Sequence, residues 1–316
     1  MQIRRKYILF VYFVLFVGMF ACSSKQEKKK SEVTKSVQLT SFPWPQVPAM
    51  LTDPTERAVY AVNRFWDKFD FSDTSLIHRP EITEQGFAEF FGILSVVDKK
   101  IANEAIVKML SKAAIKDSLM FTHFIDLSER YLYDPNSPLR NEEFYITALQ
   151  YIIGSDKVAD LNKVRPQYQL DMAMKNRPNT KATDFVYTLR NGKTGRLSNV
   201  QAEYTILFFN NPDCPDCKRV KEYMKNSPLF TELLKPKAGR ATQLAILALY
   251  PDPSIELWRE MDYPKEWINA HDPKQVINNE QLYDLKAIPT LYLLDKQKQV
   301  ILKDAPIELI AQFFQQ

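Results

Sequence analysis

Two of the three cysteines in this 316-residue chain stand three positions apart, in Cys214-Pro215-Asp216-Cys217. A thiolate is a nucleophile toward a disulfide sulfur, and a second thiol within reach can then displace the trapped partner. The pair therefore points to dithiol–disulfide exchange. That chemistry favours a helix N-terminus, where free N–H groups and the positive dipole end ease ionisation of a thiol. Pro215 suits the first helical turn, where its missing N–H costs nothing. Cys214, nearer the helix end, is expected to attack. Cys217, one turn deeper, is expected to resolve the mixed disulfide. Asp213 and Asp216 flank Cys214, and their negative charge opposes thiolate formation; Lys218 and Arg219 offset them in part. Two other uses of the pair remain open. Zinc needs four ligands, and His78, His123 and His271 lie scattered, with no second cysteine pair, so no metal is expected. A structural disulfide would close a very small loop and stabilise little.

The elements that must hold this pair can be read on both sides of it. "YTILFFN" before it and "LAILALYP" after it are near-continuous apolar runs, as in buried parallel strands. The helix between them makes a right-handed crossover. Upstream, "DFVYTLRNGKTGRLSN" alternates and carries Asn191-Gly192, a hairpin turn signal. Downstream come helices within 254–285, then "IPTLYLLD" and "QVILKD" as a hairpin turned at 295–298, then a closing helix at 306–315. This is an α/β domain over 177–316.

From about residue 182 the chain resembles the TlpA-like branch of the thioredoxin fold. "ADLNK…ATDFVYTLRNGKTGRLSN" is similar to the hairpin ahead of the core in that branch. "ILFFNNPDCPDC" is similar to its strand-then-CxxC segment, and "AIPTLYLLD" to its strand preceded by a cis-proline. Residues 251–285 fit its inserted helical region. The resemblance implies a redox-active Cys214–Cys217 disulfide with no other cofactor, a cis Ile288–Pro289 bond, and an extended substrate peptide pairing with backbone at Ile288, Pro289 and Thr290. Two positions depart from the pattern. Asp213 replaces the usual tryptophan before the first cysteine, and Phe208 occupies the site of the buried acid often found six residues before it.

The N-terminal half has a different period. Asp53, Pro54 and Glu56 form a helix-start signal, and Val59, Val62, Phe65, Trp66 and Phe69 recur at helical steps. Similar patterns over 83–97, 101–112, 117–132 and 141–153 give an all-α domain, placed at 41–176. "RAVYAVNRFWDKFDF" and this arrangement resemble a helical domain of unknown function found ahead of thioredoxin-like domains in some Gram-negative lipoproteins. Asp67, Asp70 and Asp73 are expected on one solvated helix face, and Trp44, Trp66, Trp258 and Trp267 in packing. Without cysteine, this domain is expected to select partners rather than do chemistry.

The first 40 residues read as an export and anchoring segment. Arg4, Arg5 and Lys6 precede an apolar stretch of about 15 residues, short of the roughly 20 a membrane span needs. It ends at Ala21-Cys22, resembling a lipoprotein signal, with 1–21 removed, Cys22 lipidated and 22–40 a flexible tether. The formal charge of +4 lies in these segments, +3 in each, which leaves −2 for 41–316. A near-neutral folded part gives no support to nucleic-acid binding, and seven glycines without a Gly-rich phosphate motif give none to nucleotide binding. The expectation is a lipid-anchored thiol–disulfide oxidoreductase on the periplasmic side of the cell envelope. It would act on protein thiols and disulfides as a reductase, supplied by a membrane electron donor. The alternative is a non-catalytic binding lipoprotein that uses the fold as a scaffold.

Overall fold

The computed structural model describes residues 40–236 and 242–316. The signal segment, Cys22 and all of the tether but residue 40 lie outside the described residues. The described residues form one compact unit.

Helix α1 (Pro54–Arg64) starts as its sequence predicts, with the Asp53 carboxylate accepting from the Glu56 N–H at 2.9 Å. It stops earlier than expected. Phe65 and Asp67 donate to carbonyls three residues back, at 3.4 and 3.1 Å. That tightening turns Phe65, Trp66, Phe69 and Phe71 together into one aromatic core with Phe42. Asp67, Asp70 and Asp73 therefore share no helix face. Asp67 pairs with Lys112 at 2.8 Å, Asp70 accepts from Ser72, and Asp73 caps the 3-10 turn Thr74–His78.

Helices α2 (Thr83–Leu94), α3 (Lys99–Lys116), α4 (Ser118–Ser128) and α5 (Glu142–Gly154) enclose that core, and a wider turn at Glu129–Tyr133 extends α4. A further helix, α6 (Asp160–Ala173), holds all but the first residue of the "ADLNK" stretch, which the resemblance places with the hairpin. Its pattern hides it. Leu161 and Val164 face solvent, Pro166 lies inside it, and a buried polar residue, Gln169, receives the Tyr145 hydroxyl at 2.9 Å.

The second half is a seven-stranded sheet in the order β2-β1-β5-β4-β3-β6-β7. Its strands are β1 (Val186–Leu189), β2 (Thr194–Arg196), β3 (Ala202–Phe209), β4 (Thr242–Tyr250), β5 (Ile268–His271), β6 (Thr290–Leu294) and β7 (Val300–Leu302). Strands β3 and β4 are parallel, with α7 (Pro215–Asn226) and α8 (Pro228–Leu233) between them in sequence. The region 251–285 holds α9 (Ile255–Glu260) and α10 (Val276–Asn279), but also β5, a strand the sequence reading took for helix. Only four residues long, β5 pairs with β4 in parallel and with β1 in antiparallel register, and so joins the hairpin to the core. Helix α11 (Ile307–Phe313) ends the chain.

Side chains alternate along β3, as the pleat requires. Ile206 and Phe208 join Cys217, Val220 and Met224 of α7 on one face. Leu207 and Phe209 pack with Phe185, Tyr283 and Tyr292 on the other. This double burial fixes the strand end from which Cys214 is launched.

Polar bonds join the helical half to the sheet half. The Lys303 ammonium donates to the Ala173 and Lys175 carbonyls at 2.9 and 2.7 Å, at the C-terminal end of α6 where a cation is favoured. Arg140 pairs with Asp304 at 3.0 Å, and the Asn176 amide donates to the Leu282 carbonyl at 2.8 Å.

Candidate active site

Strand β3 ends at Phe209, and five residues later the chain enters α7 with Cys214 as its N-cap. The Cys217 N–H donates to Cys214 Sγ at 3.1 Å. The sulfur thus takes the place that a serine or aspartate oxygen takes at other helix starts. Pro215 fills the first helical position. The loop is held from within and from outside: the Cys214 N–H donates to the Asn211 carbonyl, and the Asn211 amide donates to Asp252, just past β4, at 2.9 Å.

The two thiols differ as the spacing implies. Cys214 is half-buried, whereas Cys217 is 4% exposed among Ile206, Phe208 and Val220; both are free thiols. Burial pushes the Cys217 thiol well above its ordinary range, and the neighbouring Cys214 sulfur adds to the effect.

Across from Cys214 lies the start of β6. The Ile288–Pro289 peptide is cis, and the Ile288 carbonyl accepts from Cys214 Sγ at 3.4 Å. Thr290 is buried, pairs with Phe209 across the sheet, and donates its hydroxyl to the Ala287 carbonyl at 2.6 Å. Cys214, Cys217, Ile288, Pro289 and Thr290 therefore meet at one point, the Thr290 side chain bracing the loop from behind. Asp213 and Asp216 sit at the rim. Asp216 is 74% exposed and lies 3.6 Å from Arg219. Charges so placed act on the sulfur through a well-screened medium.

The position of the missing buried acid is filled by fully buried Phe208. Two residues that sequence reasoning did not single out supply polar groups there instead. Asn210 is buried, and its amide donates to the Phe208 and Leu249 carbonyls at 2.9 and 3.2 Å. This turns its carbonyl oxygen toward the Tyr263 hydroxyl, which donates to it. Tyr263 comes from the segment between β4 and β5 and shares a cavity of about 280 Å³ with Cys217, Lys218, Lys221 and Glu260. Burial, and then negative charge on Cys217, pushes the Tyr263 phenol upward. Asn210 ends an apolar strand and could have been read as a polar stop. Tyr263 stands 46 positions past Cys217, and no spacing rule reaches it.

Among the described residues no group of three His, Cys, Asp or Glu side chains is arranged to hold a metal ion. His271 is buried and stacked between Tyr250 and Trp258.

The chain as a whole is similar to known proteins. A thioredoxin-like protein from Bacteroides caccae ATCC 43185, solved as a crystal structure, is 43% identical; the match covers 88% of this chain and 99% of that one, with a TM-score of 0.83. The chain belongs to the thioredoxin-like proteins. Within this thioredoxin-like chain, residues 21–176 match the family described as Domain of unknown function (DUF5106). The hairpin β1–β2 and the insertion between β4 and β6 give its sheet half the TlpA-like form. The C-terminal domain of an uncharacterized protein from Bacteroides fragilis NCTC 9343 is 45% identical over 45% of this chain and 99% of that one, with a TM-score of 0.42. A domain of a possible thiol-disulfide isomerase from Cytophaga hutchinsonii ATCC 33406 is 25% identical over 44% and 92%, with a TM-score of 0.34. No curated protein matches the chain.

Proposed function

We propose that this thioredoxin-like protein is a lipid-anchored thiol–disulfide oxidoreductase of the cell envelope, held at Cys22 on the periplasmic side and working as a reductase. The observation that carries the reading is the sulfur geometry. Cys214 Sγ lies between the Cys217 N–H at 3.1 Å and the Ile288 carbonyl at 3.4 Å. The N–H stabilises a thiolate once the thiol proton is gone, and the carbonyl marks where a substrate backbone would run.

In the reaction the Cys214 thiolate attacks one sulfur of a substrate disulfide. A Cys214–substrate S–S bond forms, the substrate bond breaks, and one substrate thiolate leaves. Cys217 then gives up its proton to water in the adjoining cavity and attacks Cys214 Sγ. The Cys214–Cys217 disulfide forms as the second substrate thiolate leaves and takes a proton. Two electrons have passed to the substrate, so a membrane electron donor, in this chemistry a reduced dithiol, must restore the pair. Asp213 and Asp216 favour this direction, because a less stabilised thiolate means a more stable disulfide and a lower potential. Among the described residues no helix is long and apolar enough to cross a membrane, so attachment in this reading rests on Cys22.

Turnover of insulin disulfides with dithiothreitol as reductant tests the reading. Wild-type protein is expected to exceed the rate with dithiothreitol alone, and Cys214→Ser to fall to that rate. Equal rates for the two proteins would favour a binding lipoprotein on a thioredoxin scaffold.

A further inference from the structure

We propose that Glu142 of the helical half is a positioning residue for the substrate-side loop, acting through Lys286; this rests on the thiol–disulfide reading. Glu142 opens α5, and its carboxylate reaches Lys286 at 3.3 Å and Lys303 at 2.6 Å. Lys286 also meets Asp284 at 3.1 Å and lies over the Tyr133 ring, 4.3 Å from its centroid. These groups are far from ordinary surface ions. The Lys286 side chain is 12% exposed and that of Lys303 only 4%. In such a desolvated setting, removing Glu142 leaves Lys286 only Asp284 and the Tyr133 face, and Lys303 only backbone carbonyls, to offset two poorly hydrated charges.

The place of Lys286 in the sequence gives the cluster its consequence. It stands two residues before Ile288, whose carbonyl takes the Cys214 thiol. The loop is then fixed at both ends: Thr290 ties Ala287 down from the sheet side, and Glu142 and Tyr133 hold Lys286 from the helical side. Without Glu142, the ammonium groups of Lys286 and Lys303 lose the carboxylate they share. The loop would then sample positions in which the Ile288–Thr290 backbone no longer matches an extended peptide. The helical half thus completes the peptide-binding edge. Its target is a disulfide carried on a polypeptide, because only a peptide backbone exploits that edge.

The test is Glu142→Gln, close in shape but uncharged, with Lys286→Met as a second variant that keeps the apolar stem over Tyr133, and Glu84→Gln as a control elsewhere in the helical half. The substrate is a disulfide-linked peptide dimer, and amide hydrogen exchange across 284–293 is followed in the same proteins. Glu142→Gln and Lys286→Met are each expected to raise KM about fivefold or more, with kcat within about twofold, and to speed loop exchange by a similar factor. The double variant is expected to be no worse than either single one, because both break the same link. The control should behave as wild type. Should Glu142→Gln fail to fold, Lys286→Met gives the same readouts. Unaltered KM in the folded variants, or unaltered loop exchange, overturns the proposal. A wild-type protein that turns over no disulfide overturns the reading beneath it, whatever the loop does.

Discussion

Replacing Asp304 with Asn removes a titration that ties stability to pH. The Asp304 side chain is 16% exposed and pairs with Arg140 at 3.0 Å, near Lys286, Glu142 and Asp284. Burial pushes its carboxyl up to about 6 from 3.8, against the pull of Arg140. A folded value above the unfolded one means that the native state binds the proton more readily. The group's contribution is therefore fully present below pH ~3.8 and is lost as pH rises through about 6. At about 1.36 kcal/mol per pH unit, moving from pH 7.5 to 5.0 gives wild type about 1.4 kcal/mol that Asp304→Asn lacks. The substitution suits the backbone, since Asp304 has φ of 47° and asparagine tolerates the left-handed region. The second bond, from Arg140 to the Asp304 carbonyl at 2.6 Å, survives it. Urea unfolding of both proteins at the two pH values measures the effect, with m-values confirming equal exposed surface. Asp67 and Asp184, held low by Lys112 and Arg196, weaken on acidification in both proteins alike and cancel in the comparison. A stability difference that is the same at pH 5.0 and 7.5 would refute the argument.

Three further outcomes are expected. Tyr263→Phe leaves the buried Asn210 carbonyl oxygen without its donor; an unpaired buried acceptor costs about 1–3 kcal/mol, read as a lower thermal midpoint, while alkylation of Cys214 stays as in wild type. Asp216→His should raise the redox potential measured against glutathione, but by less than about 30 mV because the residue is exposed, from a wild-type value nearer about −270 mV than about −120 mV. Gly86→Ala drives a methyl group to within 2.2 Å of the Phe42 ring in the aromatic core; overpacking of this kind costs about 1–3 kcal/mol and should lower the thermal midpoint accordingly.

The sheet half was legible because its signals are local and strong. Two continuous apolar runs, an Asn-Gly turn and a CxxC at a strand end each encode one element, and the cis peptide before β6 stands where the resemblance put it. Strand β5 was not legible. "INAH" is too short to alternate, and only its neighbours β1 and β4 make it a strand. Helix α6 escaped for the opposite reason. Its buried residues, Gln169, Met172 and Ala173, cluster at its C-terminal end and include a polar one, so a search for periodic hydrophobes passes over it. At the site, the residues joined by chain spacing were found and those joined by folding were not. Tyr263 lines the cavity beside Cys217, and Glu142 meets Lys286, only through tertiary contacts, and their polar types look like surface residues in the sequence.

The central claim is that Cys214 attacks and Cys217 resolves. The most direct measurement is the intact mass of the Cys217→Ala protein after exposure to a disulfide-linked peptide dimer, with Cys214→Ser treated in parallel. The account predicts one peptide chain added to Cys217→Ala at Cys214, released by dithiothreitol, and almost none on Cys214→Ser, because the remaining Cys217 thiol is buried and resists ionisation. Peptide carried equally by both variants, or by Cys214→Ser alone, would contradict it.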